Sequence, residues 1–167
     1  MIERIADTKR YKTQLLTTNK FGKSHEYYYP KNIIEQYIGR FNATGNYVAG
    51  EIQSPYHSKN IENFDINLKL VSHHFHNFYM IEDDLYGEFV IADTHYGQKL
   101  QKVVDIDPSL VKFEIRQFGT FYYAHDRKDD PKFKEQFPEL ISDNSKYTSI
   151  IESLHIVTFD AAIQQIG

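Results

Sequence analysis

Three segments in the middle of the chain alternate apolar and polar residues with a period of two, and this pattern constrains the fold more than any other feature. Residues 85–93 (LYGEFVIAD) show it most cleanly. Residues 67–78 precede them and contain the run LVSHHFHNF, and Glu82-Asp83-Asp84 between the two reads as a turn. Residues 110–123 form the third segment, a long strand expected to bend at Gly119. Within it Val111, Phe113 and Ile115 alternate with Lys112, Glu114 and Arg116, so the apolar set should face a core and the charged set the other side. The 13 Tyr and 12 Phe suit such strands, because large rings pack well on pleated, half-buried surfaces.

The flanking sequence adds shorter elements. Residues 10–17 (RYKTQLLT) read as a strand, 19–23 as a turn and 25–29 as an extended piece. Pro30 stands where a first helical turn tolerates proline. Ile33, Ile34, Tyr37, Ile38 and Phe41 follow at three- and four-residue spacing, which predicts an amphipathic helix over 30–41. Residues 42–46 (NATGN) end it, with Gly45 the candidate left-handed residue. Residues 47–52 form a short strand, 53–63 a polar surface loop, Tyr96-Gly97 a turn and 98–104 a short helix. Residues 125–149 mix charges with two prolines and no period, and are expected as a long surface excursion with room for a helical turn. Residues 154–159 (LHIVTF) give a last strand, and Asp160 is placed to cap a short helix over 161–166. A single domain over 1–167 is the default at this length. Strands outnumber helices, so the expected class is α+β and mainly β, a small barrel-like antiparallel sheet flanked by helices.

The bulk numbers exclude several function classes. A net charge of −4 gives no electrostatic footprint for nucleic acid. With no Cys, disulfides, thiol catalysis and Cys-ligated zinc are ruled out. No apolar run reaches the roughly 18 residues of a membrane span. The first residues, MIERIADTKRYK, lack the apolar core of a signal peptide, which sets the expectation of a cytoplasmic protein or one in a particle assembled there.

Within the block from Asp65 to Gly119 the chemistry-bearing side chains are few. On a strand, Val71, His73 and Phe75 share one face and Ser72, His74 and His76 the other. His73 among apolar neighbours is either a general acid or base or a hydrogen-bonded core histidine. His74 and His76 form an H-x-H pair that could grip a metal with Asp93 or His95, or simply belong to a solvated strand face. Glu114 lies between Lys112 and Arg116, an arrangement that by itself is three neighbouring surface charges.

A wider set of segments sharpens this. In order, the chain carries Asn19-Lys20-Phe21-Gly22-Lys23, Tyr29-Pro30-Lys31, Gly50-Glu51-Ile52-Gln53-Ser54-Pro55, Val71-Ser72-His73 and Tyr86-Gly87 running through Ile91-Ala92-Asp93-Thr94. Gly97-Gln98-Lys99-Leu100, residues 111–119 (VKFEIRQFG) and Thr158-Phe159-Asp160 follow. Across nearly the whole chain this series resembles the prohead core proteases of T-even-type tailed phages, which share the herpesvirus assemblin fold. The resemblance implies a herpesvirus-protease-like fold. It maps the catalytic base onto His73 and an arginine that stabilises the site onto Arg116. The family's serine pair falls on Glu114 and Ile115, and the histidine of its G-E-x-x-H-P motif falls on Ser54, so the nucleophile is not matched.

Acyl transfer from serine needs a hydroxyl within reach of the base, and a carboxylate beside the scissile carbonyl opposes the developing oxyanion. The resemblance therefore implies a protease-like protein without catalytic residues, in which His73, Glu114, Ile115 and Arg116 are relic positions, with Glu114 expected to pair with His73 and hold the imidazole charged. It further implies an oligomer working either in capsid assembly, in the host cytoplasm, or as a structural protein within the capsid of the virion. Capsid or scaffold-core proteins and the active prohead protease are the expected partners, with no nucleic acid, no membrane, no cofactor and no metal. The alternative is an active serine endopeptidase that processes prohead proteins, or a metal hydrolase using His74, His76 and Asp93.

Overall fold

In the computed structural model, which describes residues 1–6, 8–20, 27–53, 66–138 and 148–164, the strands are β1 (Glu3–Arg4), β2 (Arg10–Thr17), β3 (Tyr27–Tyr28), β4 (Val48–Gln53), β5 (Val71–Ile81), β6 (Asp84–Ile91), β7 (Val111–Phe118), β8 (Phe121–Tyr123), β9 (Ser149–Ile151) and β10 (His155–Ile163). The helices are α1 (Lys31–Thr44), α2 (His95–Ile106) and α3 (Pro131–Gln136). Seven strands form a curled sheet in the order β1-β2-β6-β5-β4-β10-β7, and a second sheet of three has the order β3-β9-β8. The large sheet is antiparallel except for the β4–β10 contact, which is parallel. The fold is α+β and mainly β, as the alternating segments require.

The period-two segments put their apolar faces inward. Phe75, Phe78, Phe89 and Phe159 are almost wholly buried, with Ile34 of α1, Leu85 of β6 and Leu100 of α2 among them. Fully burying a side chain of this size stabilises the fold by about 1.5–3 kcal/mol, so these few positions hold much of it. Helix α1 runs three residues beyond the expected end at Phe41, and buries Ile34, Tyr37 and Phe41. Tyr37 and Phe41 meet the Phe78 ring edge-on at 5.5 and 4.7 Å. Gly45, at φ +62°, closes the helix by donating its N–H to Phe41. Strand β5 starts later than expected, because Leu68–Leu70 form a 3-10 turn capped by the Asn67 side chain.

Three expectations fail in instructive ways. Tyr96-Gly97 is not a turn but the first turn of α2, because the Thr94 hydroxyl accepts from the Gly97 N–H at 2.9 Å and donates to the Val71 carbonyl at 2.6 Å. The long strand over 110–123 is two strands in two sheets, separated at Gly119-Thr120. The helix expected from Asp160 is not there: β10 runs straight through that residue to Ile163, with Ala161 buried between Phe113 and Ile52. Burial of β10 between two strands outweighs the short-range capping signal of one aspartate.

The stretch after β8 holds a 3-10 turn at Ala124–Arg127 and then α3, capped by Asp130. Its Phe133 and Phe137 are buried in a second cluster with Tyr28, Ala124 and Ile150. Polar residues obscure the two apolar positions that dock this segment. Of the loop expected over 53–63, Gln53 is instead the last residue of β4; the rest of it, including the motif residue Ser54, and residues 139–147 lie outside the described residues.

Candidate functional site

His73 sits on the core face of β5 and is fully buried. Next to it, the β4–β5 register shifts between Gly50 and Glu51, leaving Ser72 as an extra residue on β5. Such bulges re-aim neighbouring side chains. The imidazole Nε2 lies 2.8 Å from the Phe159 carbonyl of β10, and Nδ1 lies 2.9 Å from the Ser72 hydroxyl. A carbonyl can only accept, so Nε2 carries the proton and Nδ1 accepts from Ser72 in the neutral ring. To reach β10 the ring crosses beneath β4, where Gly50 pairs with His73 in register. A Cβ on Gly50 would fall 2.1 Å from Nε2, so only glycine fits. The rings of Phe75, Phe89 and Phe113 wall the imidazole at 5.3, 5.8 and 4.9 Å. Burial in this setting holds the histidine pKa down to about 3, with the Phe159 hydrogen bond opposing it.

On the opposite face of the sheet three motif residues converge. Arg116 of β7 donates to Asp160 of β10 through Nε at 2.9 Å and to Glu51 of β4 at 3.2 Å. A second guanidinium nitrogen lies 2.8 Å from Asp160. The Glu51 backbone N–H donates to the other Asp160 oxygen at 3.0 Å, and the Glu51 carboxylate accepts from the Asn67 N–H. All three side chains are nearly inaccessible. Burial pushes the Asp160 carboxyl above its usual value, against the pull of the Glu51 N–H and of Arg116. For Arg116 burial works toward a lower value, but the two carboxylates outweigh it and hold the guanidinium above its usual one.

These bonds stand where a backbone ladder is missing. Among the described residues β4 and β10 pair in register only at Ala161↔Ile52 and Ala162↔Gln53. Toward the other end, Thr158 donates its hydroxyl to the Ala49 carbonyl at 2.6 Å, Asp160 takes the Glu51 N–H, and His73 takes the Phe159 carbonyl. Buried peptide groups need partners, and here side chains provide them.

The expected pairing of His73 with Glu114 does not form. Glu114 lies opposite Asp160 in register, and residues paired in this way share a face. Glu114 thus shares the outer face with Arg116, while Ile115, opposite Phe159, shares the core face with His73. Glu114 is exposed, and both nitrogens of His73 have other partners. The alternation along β7 is as read from sequence. Arg116 departs from the surface reading because its end of the outer face is covered at Glu51 and Asp160.

Among the described serines, Ser72 is fully buried and Ser149 is buried. Ser109 bonds Asp107 at 2.6 Å and Ser153 bonds Thr120 at 2.8 Å. His74 is half-buried, His76 occupies a bulge of β5 with Nε2 3.7 Å from Glu88, and Asp93 is exposed. These residues are not brought together, and among the described residues no three histidines or carboxylates gather as metal ligands do. A cavity of about 100 Å³ lies elsewhere, where the end of β7 meets the small sheet, lined by Tyr27, Gln117, Phe121 and Ser153 among others.

Sequence reasoning passed over Glu51, Thr158 and Asp160 as site residues. The available signal was a lone carboxylate inside the apolar run HIVTFDAAI, which demands a buried partner.

No family model and no curated protein matches the chain. Among solved structures, the fold is similar to that of the bacteriophage T4 capsid assembly protease, gp21, with a TM-score of 0.63 and 15% sequence identity over 92% of this chain and 80% of that one. At this identity the likeness is one of fold, and the chain carries the α+β architecture of a phage capsid assembly protease.

Proposed function

We propose that the chain is a non-catalytic protein on a protease fold, acting in tailed-phage capsid assembly or as a capsid-associated structural protein. The observation that carries this reading is the closure of His73. A general base must reach the proton it removes, yet this ring is fully buried and both its nitrogens are engaged. A histidine held near pKa 3 is also a weak base for activating a hydroxyl at neutral pH. Glu114 and Ile115, at the positions that correspond to the family's serines, supply no hydroxyl. Function on such a fold resides in its surfaces, for binding capsid or scaffold-core proteins, the active prohead protease, or further copies of itself. The chain works without a cofactor, in the host cytoplasm as an assembly-stage protein or in the capsid of the virion as a structural one.

A second reading, an active serine endopeptidase acting on prohead proteins, draws on the fold likeness and on the 2.9 Å contact between Ser72 and His73. Incubation with a serine-directed covalent reagent separates the two. No labelling is expected; stoichiometric labelling that disappears in Ser72→Ala would overturn the non-catalytic reading. Mass spectrometry of mature particles then separates the roles, since retention indicates a capsid component and loss an assembly-stage one.

A further inference from the structure

We propose that His73 is an acid-released latch that ties β5 to β10 across β4, so that acidification frees β10, together with β7 paired to it, from the rest of the sheet. The latch rests on bond geometry and is independent of whether the chain cleaves peptides. Its ring passes the bare Cα of Gly50 to bond Phe159 two strands away, at the end of the β4–β10 contact that has no register pairing. Backbone pairing therefore cannot compensate for its loss at that point.

Protonation attacks this bond set directly. A second proton turns Nδ1 from acceptor to donor, so the Ser72 hydroxyl must reverse, and it places a cation among Phe75, Phe89 and Phe113. The charged groups on the surrounding elements give no counter-charge. Glu51 of β4 and Asp160 of β10 are bound to Arg116 on the other face. Lys112 and Glu114 of β7 are exposed, and β6 presents the Phe89 ring. His74, next along β5, acts against a charge on His73. Among the described residues no carboxylate faces the ring.

The direction in pH follows from linkage. The folded pKa of His73 lies below the ordinary value of 6.5, so its contribution is complete above about 6.5 and is lost as pH falls toward about 3. His76, lowered by burial and by Arg10, has the same sign. Asp160 has the opposite sign: with a raised folded pKa, its contribution is present below 3.8 and lost as pH rises. The carboxyls of Glu3 and Asp107, held below their usual values by Lys12 and Ser109, also lose their contribution in acid, but below the ordinary carboxylate range. Between pH 8 and pH 5 acid loosening therefore belongs to the histidines, and variants separate them.

Amide hydrogen exchange on the full chain at pH 8 and pH 5, corrected for intrinsic rates, tests the latch in the wild type, His73→Gln and His76→Gln. In the wild type and in His76→Gln, the opening equilibrium of β7 and β10 should rise about thirtyfold from His73 alone, ahead of β2 and β6. His73→Gln should lack that rise. Uniform opening of all strands, or a rise that survives His73→Gln, overturns the proposal. Imidazole NMR of the wild type covers the case in which His73→Gln does not fold: His73 should stay neutral in the folded protein at pH 5, and titration near 6.5 without loss of structure overturns the latch. Serine labelling bears on the function proposed above, and exchange on the latch, so either can fail alone.

Discussion

The β5–β6 and β4–β10 junctions lie in one sheet and are held in different ways. β5 and β6 pair backbone to backbone from His73↔Ile91 to Ile81↔Asp84, interrupted by a bulge at His76. β4 and β10 pair in register at Ala161↔Ile52 and Ala162↔Gln53, and Thr158, Asp160 and His73 hold the remainder. In the first junction the backbone supplies the hydrogen bonds and the side chains only decide which face is buried, so outward polar residues are exchangeable. In the second, particular side chains are the hydrogen-bond partners, and losing one leaves a buried group unsatisfied. Polar residues inside a sheet therefore mark the place where its ladder fails.

The widest separation between the junctions is expected from Arg116→Ala against Glu88→Gln. Removing the guanidinium takes the cation from between Glu51 and Asp160, and deleting one partner of a buried pair costs about 3–5 kcal/mol. Glu88 lies on the outward face of β6 and is partly exposed, where a substitution should change stability by no more than about 0.5 kcal/mol. Urea denaturation measures both, and similar small effects would erase the distinction.

Two glycines should then respond with opposite sign. At Gly50 an added Cβ would meet His73 Nε2 at 2.1 Å and the Phe159 carbonyl at 2.4 Å, and overpacking of this kind costs about 1–3 kcal/mol or more. At Gly39, in the body of α1, nothing lies within 4 Å, and alanine should add about 0.5–1 kcal/mol. A neutral Gly50→Ala, seen in thermal melts, would mean that the ring does not need to cross β4 so closely.

The smallest contrast is Thr158→Val against Tyr79→Phe. Thr158 is wholly buried and bonds the Ala49 carbonyl, so losing its hydroxyl should cost about 1–2 kcal/mol by stranding that carbonyl. The Tyr79 ring stacks on Tyr86 at 5.8 Å on the outer side of the β5–β6 pair, and removal of its hydroxyl should shift the denaturation midpoint very little. Equal shifts would argue that the seam draws its stability from packing alone.

The site was only partly legible in the sequence. His73 on the apolar face of its strand, the alternation of Ile115 with Glu114 and Arg116, and the left-handed Gly45 all follow from periods of 2 and 3.6 and from glycine sterics. Glu51 and Asp160 could not be paired with Arg116 in advance, because a buried charge announces only that it needs a partner. Asp160 before Ala161-Ala162 also fits a helix cap locally, and only burial between β4 and β7 rejects that reading.

By itself the sequence determined which apolar residues of α1, β5, β6 and β7 face the core, and with that the mainly β class, because side-chain periodicity is a local property of the backbone. Tertiary structure alone decided that His73 faces Phe159 and Ser72 while Glu114 lies on the other side of the sheet. It also decided that Thr158 and Asp160 of β10 and the distant His73 of β5 replace a ladder. Both depend on which strands become neighbours and at what register, and the free energy that selects those neighbours belongs to the assembled core rather than to any one segment.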